Sequence, residues 1–297
     1  MDWQNQLINV YLTTCNFFSQ LSPHSFLKIS PNSNPLFSDE ETVTIYIFGV
    51  LNEFKNVKSI YKFTKNFLFE WFPHLPSYEG FLFRLNNLNQ LFPELSNFLL
   101  QNNKFKLNSN LSQPFILVDS LPIVLAKGFR AHKCNTAKDI SSVGYCSSKN
   151  LFYFGLKLHL TALFQNNKLA TPTSLKVTRA GTHDLTAIKN ELLNFKHSQL
   201  FADRAYCDQS TKEQLAKINS ILHTPIKLSR SKKNLSSDEK VYSKSVSSIR
   251  QSIEILFSWL IETSGIQIAS KVRSTKGLLV HVFGRFSACL FKYIFFF

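Results

Sequence analysis

The sequence predicts an α/β fold with a mixed sheet, preceded by an all-α N-terminal domain. Residues 1–110 show helical periodicity without strand-like alternation, and residues 114–178 contain three strand-like segments. Residues 183–261 then alternate between helices and strands. Consecutive strands favour antiparallel pairing, whereas strands separated by helices are added in parallel. We therefore predict two domains, a helical one at 1–110 and a sheet-containing one at 111–297 that includes the C-terminal helix.

The N-terminal helices are marked by one clear start signal. Ser38 opens the stretch "SDEETVTIYIFGVLNEF", and Glu41 three residues later completes a capping-box pattern before an apolar run. Two further helices are predicted at about 56–70 and 78–92, the second ending near Pro93. The preceding segment 22–37 contains three prolines and is predicted as a loop. A compact helical bundle fits this domain, and a helix-turn-helix module stays open because no recognition helix stands out.

The sheet begins with "PFILVD", a predicted strand that ends at Asp119. A polar, basic insertion over 121–150 follows, and "FYFGLKLHLTALF" then alternates between an apolar and a polar face. The remaining predicted elements are a strand at 169–178, a helix at 183–195, a strand ending at Asp203, a helix at 208–219, a strand at 221–228 and a helix at about 246–261. The order β-β-β-α-β-α-β-α is the connectivity of a ribonuclease H-like fold.

Two of these strands are expected to end in an aspartate. In this topology the first and fourth strands lie side by side, so Asp119 and Asp203 meet at one edge of the sheet. Their mutual repulsion favours a bound cation, and carboxylate oxygens suit Mg²⁺, which also binds substrate phosphates. The last predicted helix offers a third acid, because Glu254 borders its buried face. We expect Glu262, near the end of that helix, to be solvated.

The charge balance points to a polyanionic partner. Thirty-four Lys and Arg residues against 19 Asp and Glu residues give a net charge of +15. Nucleic acid is the first expectation and an anionic membrane surface the second, although A/T-rich codons explain part of the excess of lysine. The five cysteines are widely spaced without a CxxC pair, which favours a reducing cytoplasm over a zinc or disulfide framework.

Neither end of the chain is predicted to enter a membrane. The N-terminus has an early acid and no apolar core, so we expect no secretory signal. The apolar stretch 277–297 is about as long as a membrane span. However, His281, Arg285 and Lys292 share one helical face, which is unusual for a spanning helix. We predict a helix packed on the core with one basic edge.

Six segments, in chain order, resemble the DDE transposases of bacterial insertion sequences, and the insertion sequence 982 family in particular. They are "VDSLP", "GYCSSKNLFYFGLKLHL", "GTHDL", "FADRAYCD", "RQSIEILFS" and "VRSTKGL". The resemblance covers roughly residues 115–280 and, more weakly, the helical N-terminal part. It implies that Asp119, Asp203 and Glu254 bind the catalytic metal, for which we predict two Mg²⁺ or Mn²⁺ ions. It also implies cutting of element ends and joining of the 3′-OH to target DNA.

The resemblance further implies a DNA contact for Arg250, four residues before Glu254. Ser247 and Ile261 stand where related families have a tyrosine and a lysine, so those auxiliary contacts are not carried over. The partners implied are double-stranded DNA, as terminal inverted repeats and target, and further copies of the chain on that DNA. This places the protein in the bacterial cytoplasm, at the nucleoid when bound. The candidate DNA-binding residues are Arg250, Lys127, Arg130, Lys133, Lys149, Lys157 and Arg204.

Several alternatives remain open at this point. His159 and Lys157 share a strand face that either reaches the DNA or is a covered polar face. His183 and Asp184 are either a helix-start pair or neighbours of the site. For the whole chain, the alternatives are a non-transposing DNA-binding repressor, an inactive remnant of a transposase, and a structure-specific nuclease of the same fold. The presence of all three acids favours an enzyme.

Overall fold

The computed structural model describes residues 2–21, 36–102, 113–147, 150–226 and 234–296. Over these residues the chain forms ten α-helices and six strands. The helices are α1 (Trp3–Ser19), α2 (Asp39–Leu51), α3 (Val57–Phe67), α4 (Tyr78–Asn87), α5 (Leu91–Asn102), α6 (Asp184–Leu192), α7 (Gln209–Ala216), α8 (Ser237–Ser264), α9 (Thr275–Leu279) and α10 (Arg285–Phe296). The strands are β1 (Phe115–Lys127), β2 (Ser142–Cys146), β3 (Leu151–Leu163), β4 (Thr171–Arg179), β5 (Gln199–Ala202) and β6 (Ile221–His223).

The first compact unit is helical and is built from both ends of the chain. It consists of Met1–Asn103, Leu260–Ile266 and Val272–Phe297. The C-terminal helices pack on α2 and α5: the hydroxyl of Tyr46 donates to the carbonyl of Val280 at 3.4 Å, and the Ser96 and Ser287 hydroxyls are 2.9 Å apart. The C-terminal helices α9 and α10 therefore belong to the same compact unit as the N-terminal helices. The expected division had placed them with the sheet.

Two sequence signals in the helical unit had different outcomes. The capping box is confirmed, since Ser38 Oγ accepts from the Glu41 amide at 3.1 Å and the Glu41 carboxylate accepts from the Ser38 amide at 2.5 Å. The expected helix end at Pro93 is wrong. Pro93 lies in the first turn of α5, where a proline is tolerated because its missing N–H would have no intrahelical partner.

The basic edge predicted for the C-terminal helix is also wrong for two of its three residues. His281 is 8% exposed and Arg285 4% exposed. Arg285 donates to the carbonyls of Ser264 and Lys55, so its charge is buried with hydrogen-bond partners. The helical stretch Thr275–Phe295 is long and apolar enough to cross a membrane, and 72% of its most apolar window is buried inside the protein. That burial is typical of a core helix.

The second compact unit, Lys104–Trp259 with Gln267–Lys271, contains the sheet. The strand order is β2-β3-β1-β5-β6, and β4 pairs with β3 beside β2. β3 is antiparallel to β1, β2 and β4, whereas β5 is parallel to β1 and β6. Apolar residues of β1 and β5 pack against α6 and α7 on one face of the sheet. The predicted mixed sheet with a ribonuclease H-like core is therefore confirmed.

Three details of the predicted sheet unit are corrected. β1 does not end at Asp119 but continues to Lys127, and Pro122 lies where β1 has lost its β5 neighbour, a position at which a strand tolerates proline. The basic insertion contains an additional strand, β2, paired with the start of β3. α8 begins at Ser237, well before the start predicted at about residue 246.

Candidate active site

Asp119 and Asp203 lie next to each other because β1 and β5 are parallel neighbours. Val118 is in register with Ala202, and each aspartate is the next residue of its chain segment. One oxygen of each carboxylate accepts from the following amide: Ser120 N–H donates to Asp119 at 2.8 Å and Arg204 N–H donates to Asp203 at 2.6 Å. These local bonds orient both carboxylates.

Helix α8 brings a cation and a third acid to the two aspartates. Nη2 of Arg250 donates to Oδ2 of Asp119 at 2.9 Å, and Nη1 lies 3.8 Å from Oδ1 of Asp203. Glu254 follows one helical turn later, with Oε1 4.0 Å from Nη2 of Arg250. The structure therefore brings Asp119, Asp203 and Glu254 around one guanidinium group. Their catalytic roles stay a prediction.

The three acids differ in their exposure to solvent. The side chain of Asp119 is 19% exposed, that of Asp203 is 51% exposed and that of Glu254 is 60% exposed. Burial raises the pKa of Asp119 to about 6, although the Arg250 guanidinium beside it acts in the opposite direction. Asp119 is thus the buried end of a site that opens to solvent at Asp203 and Glu254.

The donor set has the composition of a site for a hard divalent cation. Carboxylate oxygens are the ligands that Mg²⁺ and Mn²⁺ prefer, and here three carboxylates surround one positive charge. Among the described residues, no three acidic, histidine or cysteine side chains come close enough together to hold a metal ion. The guanidinium of Arg250 lies where the acids converge. The three carboxylates are the right type of ligand for a divalent cation. In this structure the guanidinium of Arg250 supplies the positive charge between them.

The family of the chain is decided by its sheet unit. A family model described as "Transposase DDE domain" matches residues 111–274, which is more than half of the chain. The chain belongs to the DDE transposase family. The match contains all three converging acids and Arg250, and it makes the protein a nucleic-acid-processing enzyme with DNA as its partner. No curated protein matches the chain, and no solved structure matches it.

A second polar cluster of the transposase lies on the opposite face of the sheet from the acids. Ser120 and His159 are in register, so they share the face that α6 covers, while Asp119 points to the other face. Nε2 of His159 lies 2.8 Å from Oγ1 of Thr178, and Nδ1 lies 3.7 Å from Asp184. Burial lowers the pKa of His159 to about 4, although Asp184 acts in the opposite direction.

The candidate residues on this covered face have protein partners. Lys157 donates to the Thr182 carbonyl at 3.0 Å, and its Nζ lies 3.0 Å from Asp184. Lys157 and His159 therefore belong to a covered polar face. His183 is exposed at the N-cap of α6 and makes no side-chain capping bond.

The other candidate DNA-binding residues lie mainly on the surface. Lys127, Arg130 and Lys133 are exposed at the end of β1 and in the short helical turn that follows it. Arg204 is exposed beside Asp203. Lys149 lies outside the described residues. DNA contact by each of these side chains stays a prediction.

One basic surface of the helical unit was not predicted from the sequence. α3 exposes Lys58, Lys62 and Lys65, while Ile60 and Thr64 of the same helix are buried. Spacings of four and three residues place the lysines on one helical face. This spacing is visible in the sequence. However, the sequence does not show which face of α3 is buried, so the row could not be distinguished from scattered surface lysines.

Proposed function

We propose that the transposase cuts DNA at the ends of an insertion sequence and joins the exposed 3′-OH ends to target DNA. The observation that supports this most is the convergence of Asp119, Asp203 and Glu254 on one side of the sheet. Acids gathered at that point serve phosphoryl transfer, in which charge develops on the oxygens of the scissile phosphate. The resemblance to the insertion sequence 982 family is part of the same proposal.

Each residue of the site has a proposed task. Asp119, Asp203 and Glu254 would hold two Mg²⁺ or Mn²⁺ ions, which when bound supply Lewis-acid stabilisation at the scissile phosphate. The amides of Ser120 and Arg204 keep two of the carboxylates oriented. Arg250 balances the acids in the DNA-free chain and contacts a DNA phosphate in the complex. Water and then the DNA 3′-OH act as nucleophiles, so no side chain forms a covalent intermediate.

Recognition of the element end is assigned to the helical unit. The row Lys58, Lys62 and Lys65 gives α3 a positive face, and α3 itself contains no acidic residue. Phosphate contacts of this kind position a protein on DNA. We expect copies of the chain to assemble on the paired ends of the element.

A structure-specific nuclease is the strongest alternative, because it would use the same three acids. A nuclease stops after cleavage, whereas a transposase also joins the cut end to a second duplex. A DNA-binding repressor needs none of the acids, and their convergence speaks against it. An inactive remnant would bind divalent ions and DNA without cutting.

The experiment that tests the site compares isosteric neutral variants of the acids. Asp119→Asn, Asp203→Asn and Glu254→Gln should each lower DNA cleavage by about 10³-fold, equivalent to about 4 kcal/mol of transition-state stabilisation. DNA affinity in a filter-binding assay should change little. Glu262→Gln is the matched control, since Glu262 is an exposed acid further along α8. Near-normal cleavage by any of the three variants would remove that acid from the site.

A further inference from the structure

A group of exposed aromatic rings lies at the end of β1 and along the neighbouring ends of β2 and β3. The aromatic patch consists of Phe129, His132, Tyr145 and Phe152. Phe129 is 78% exposed, and Tyr145 and Phe152 are each 49% exposed. His132 is exposed as well. Scattered exposed apolar residues are normal on a protein surface, but a contiguous group of them often marks an interaction site.

Three rings of the aromatic patch form a continuous surface. Tyr145 of β2 and Phe152 of β3 are directly opposite each other in the antiparallel ladder, and their ring centroids are 5.0 Å apart. The ring of His132 lies 5.7 Å from that of Phe152. The Tyr145 hydroxyl donates to the side chain of Asn150, which holds that ring at the patch.

Basic residues are close neighbours in the chain of the aromatic residues Phe129 and His132. Lys127, Arg130 and Lys133 are exposed, and Nζ of Lys133 lies 4.6 Å from the ring centroid of Phe129. Between residues 127 and 152 the sequence contains a single acid, Asp139. The patch therefore combines flat apolar ring faces with neighbouring charges that are almost all positive.

We infer that the aromatic patch binds unpaired nucleotides at a DNA end by stacking bases on its rings, with the neighbouring basic residues on the phosphates. Aromatic rings interleaved with positive charge are the combination that binds single-stranded nucleic acid without strict sequence preference. The inference rests on the proposed function, which produces DNA ends at which bases can leave the duplex.

Two other occupants fit the patch less well. An intact duplex offers phosphates to the lysines but keeps its base faces stacked inside the helix, so the rings would find no partner. A second copy of this chain would bring the same basic residues against each other across a symmetric interface. Like charges facing each other oppose such contacts.

The test uses the full chain and two labelled duplexes that differ only in a three-nucleotide single-stranded overhang. The overhang carries 2-aminopurine, whose fluorescence falls when the base stacks. Wild-type protein should bind the overhang duplex about tenfold more tightly than the blunt one and should quench the probe. Phe129→Ala and Phe152→Ala should each weaken this preference and the quenching while leaving blunt-duplex affinity unchanged. Phe83→Ala is the matched control, because Phe83 is a 60% exposed phenylalanine of α4.

The possible results separate this inference from the proposed function. Equal affinity for both duplexes, or an undiminished preference in both patch variants, would overturn the stacking inference while DNA cleavage leaves the proposed function intact. A patch variant that changes the oligomeric state of the DNA-free chain, measured by sedimentation, and keeps its overhang preference would assign the patch to a protein interface instead. If the wild type binds neither duplex, the proposed function fails together with this inference.

Discussion

Nη2 of Arg250 on α8 donates a hydrogen bond of 2.9 Å to Oδ2 of Asp119 in the middle of β1. The same guanidinium lies within 4.0 Å of Asp203 and Glu254. The pair ties the last helix of the sheet unit to its central strand. It also means that the candidate catalytic acids share one protein cation.

Arg250→Gln should destabilise the DNA-free, metal-free chain by about 2 kcal/mol, because a largely buried, charge-assisted hydrogen bond is lost and three carboxylates remain without their cation. Urea unfolding measures this change. Arg130→Gln is the control, since Arg130 is exposed and its loss should leave the free energy of unfolding unchanged. An Arg250→Gln protein as stable as wild type would show that the pair does not hold the site together.

The same variant should bind Mn²⁺ more tightly than wild type. Arg250 and a divalent ion compete for the same carboxylates, so removing the guanidinium frees the ligands. We expect a gain of about tenfold, which corresponds to about 1.4 kcal/mol, measured by the loss of the free Mn²⁺ signal in electron paramagnetic resonance. Weaker Mn²⁺ binding by Arg250→Gln would mean that the arginine positions the acids for the metal rather than competing with it.

Replacement of the α3 lysines should weaken recognition of the element end. The triple change Lys58→Ala, Lys62→Ala, Lys65→Ala removes positive charge from one helical face and should lower affinity for the terminal repeat by at least about tenfold. The control replaces three exposed lysines of the sheet unit, Lys168, Lys196 and Lys217, and removes the same net charge. The measurement is fluorescence anisotropy with the full chain, because α9 and α10 complete the helical unit. Equal losses in both triple variants would indicate a general charge effect instead of recognition by α3.

His281 should make the helical unit less stable in acid. Its Nε2 lies 2.9 Å from the Ile266 carbonyl, and Nδ1 lies 3.2 Å from Nε of Arg285. Because a carbonyl only accepts and a guanidinium only donates, the ring carries its proton on Nε2 and is neutral. Burial lowers the pKa of His281 to about 3, and Arg285 acts in the same direction.

The sign of the pH dependence follows from this lowered pKa. An unfolded histidine has a pKa near 6.5, so below that pH the unfolded chain binds a proton that the folded chain does not. The free energy of unfolding is therefore not reduced by His281 above about pH 6.5. It falls by up to about 1.4 kcal/mol per pH unit as the pH decreases from there towards 3. His281→Gln retains a donor and an acceptor but cannot titrate, so its unfolding free energy should depend less on pH. Identical slopes for both proteins would contradict the account.

The sequence predicted the core of the fold because that core is set by local patterns. The alternation in β3 and the strand ending before Asp203 identify neighbouring elements, and the order of elements then favours β1 and β5 as parallel neighbours. Asp119 was expected at a strand end, but β1 continues through Pro122 to Lys127. A proline is tolerated there only because β1 has lost one neighbour, which is a property of the assembled sheet.

What the sequence could not predict depends on long-range packing. The apolar C-terminal segment indicates burial but not the surface against which it packs, and the structure places it on α2 and α5. The burial of His281 and Arg285 depends on backbone carbonyls supplied by distant residues. Similarly, α6 covers Lys157 and His159. The alternation within β3 shows that these two residues share a face, but it does not show whether that face reaches the DNA or is covered.

The proposed function requires that one site both cuts a DNA end and joins it to a second duplex. The most direct measurement incubates the full chain and Mg²⁺ with a labelled terminal-repeat oligonucleotide and a plasmid, using blunt and pre-cut 3′-OH ends. We predict labelled joint molecules with the wild type, and none with Asp119→Asn or Glu254→Gln. If the wild type cleaves the oligonucleotide but never forms joint molecules, even from pre-cut ends, the protein is a nuclease and the transposition account is contradicted.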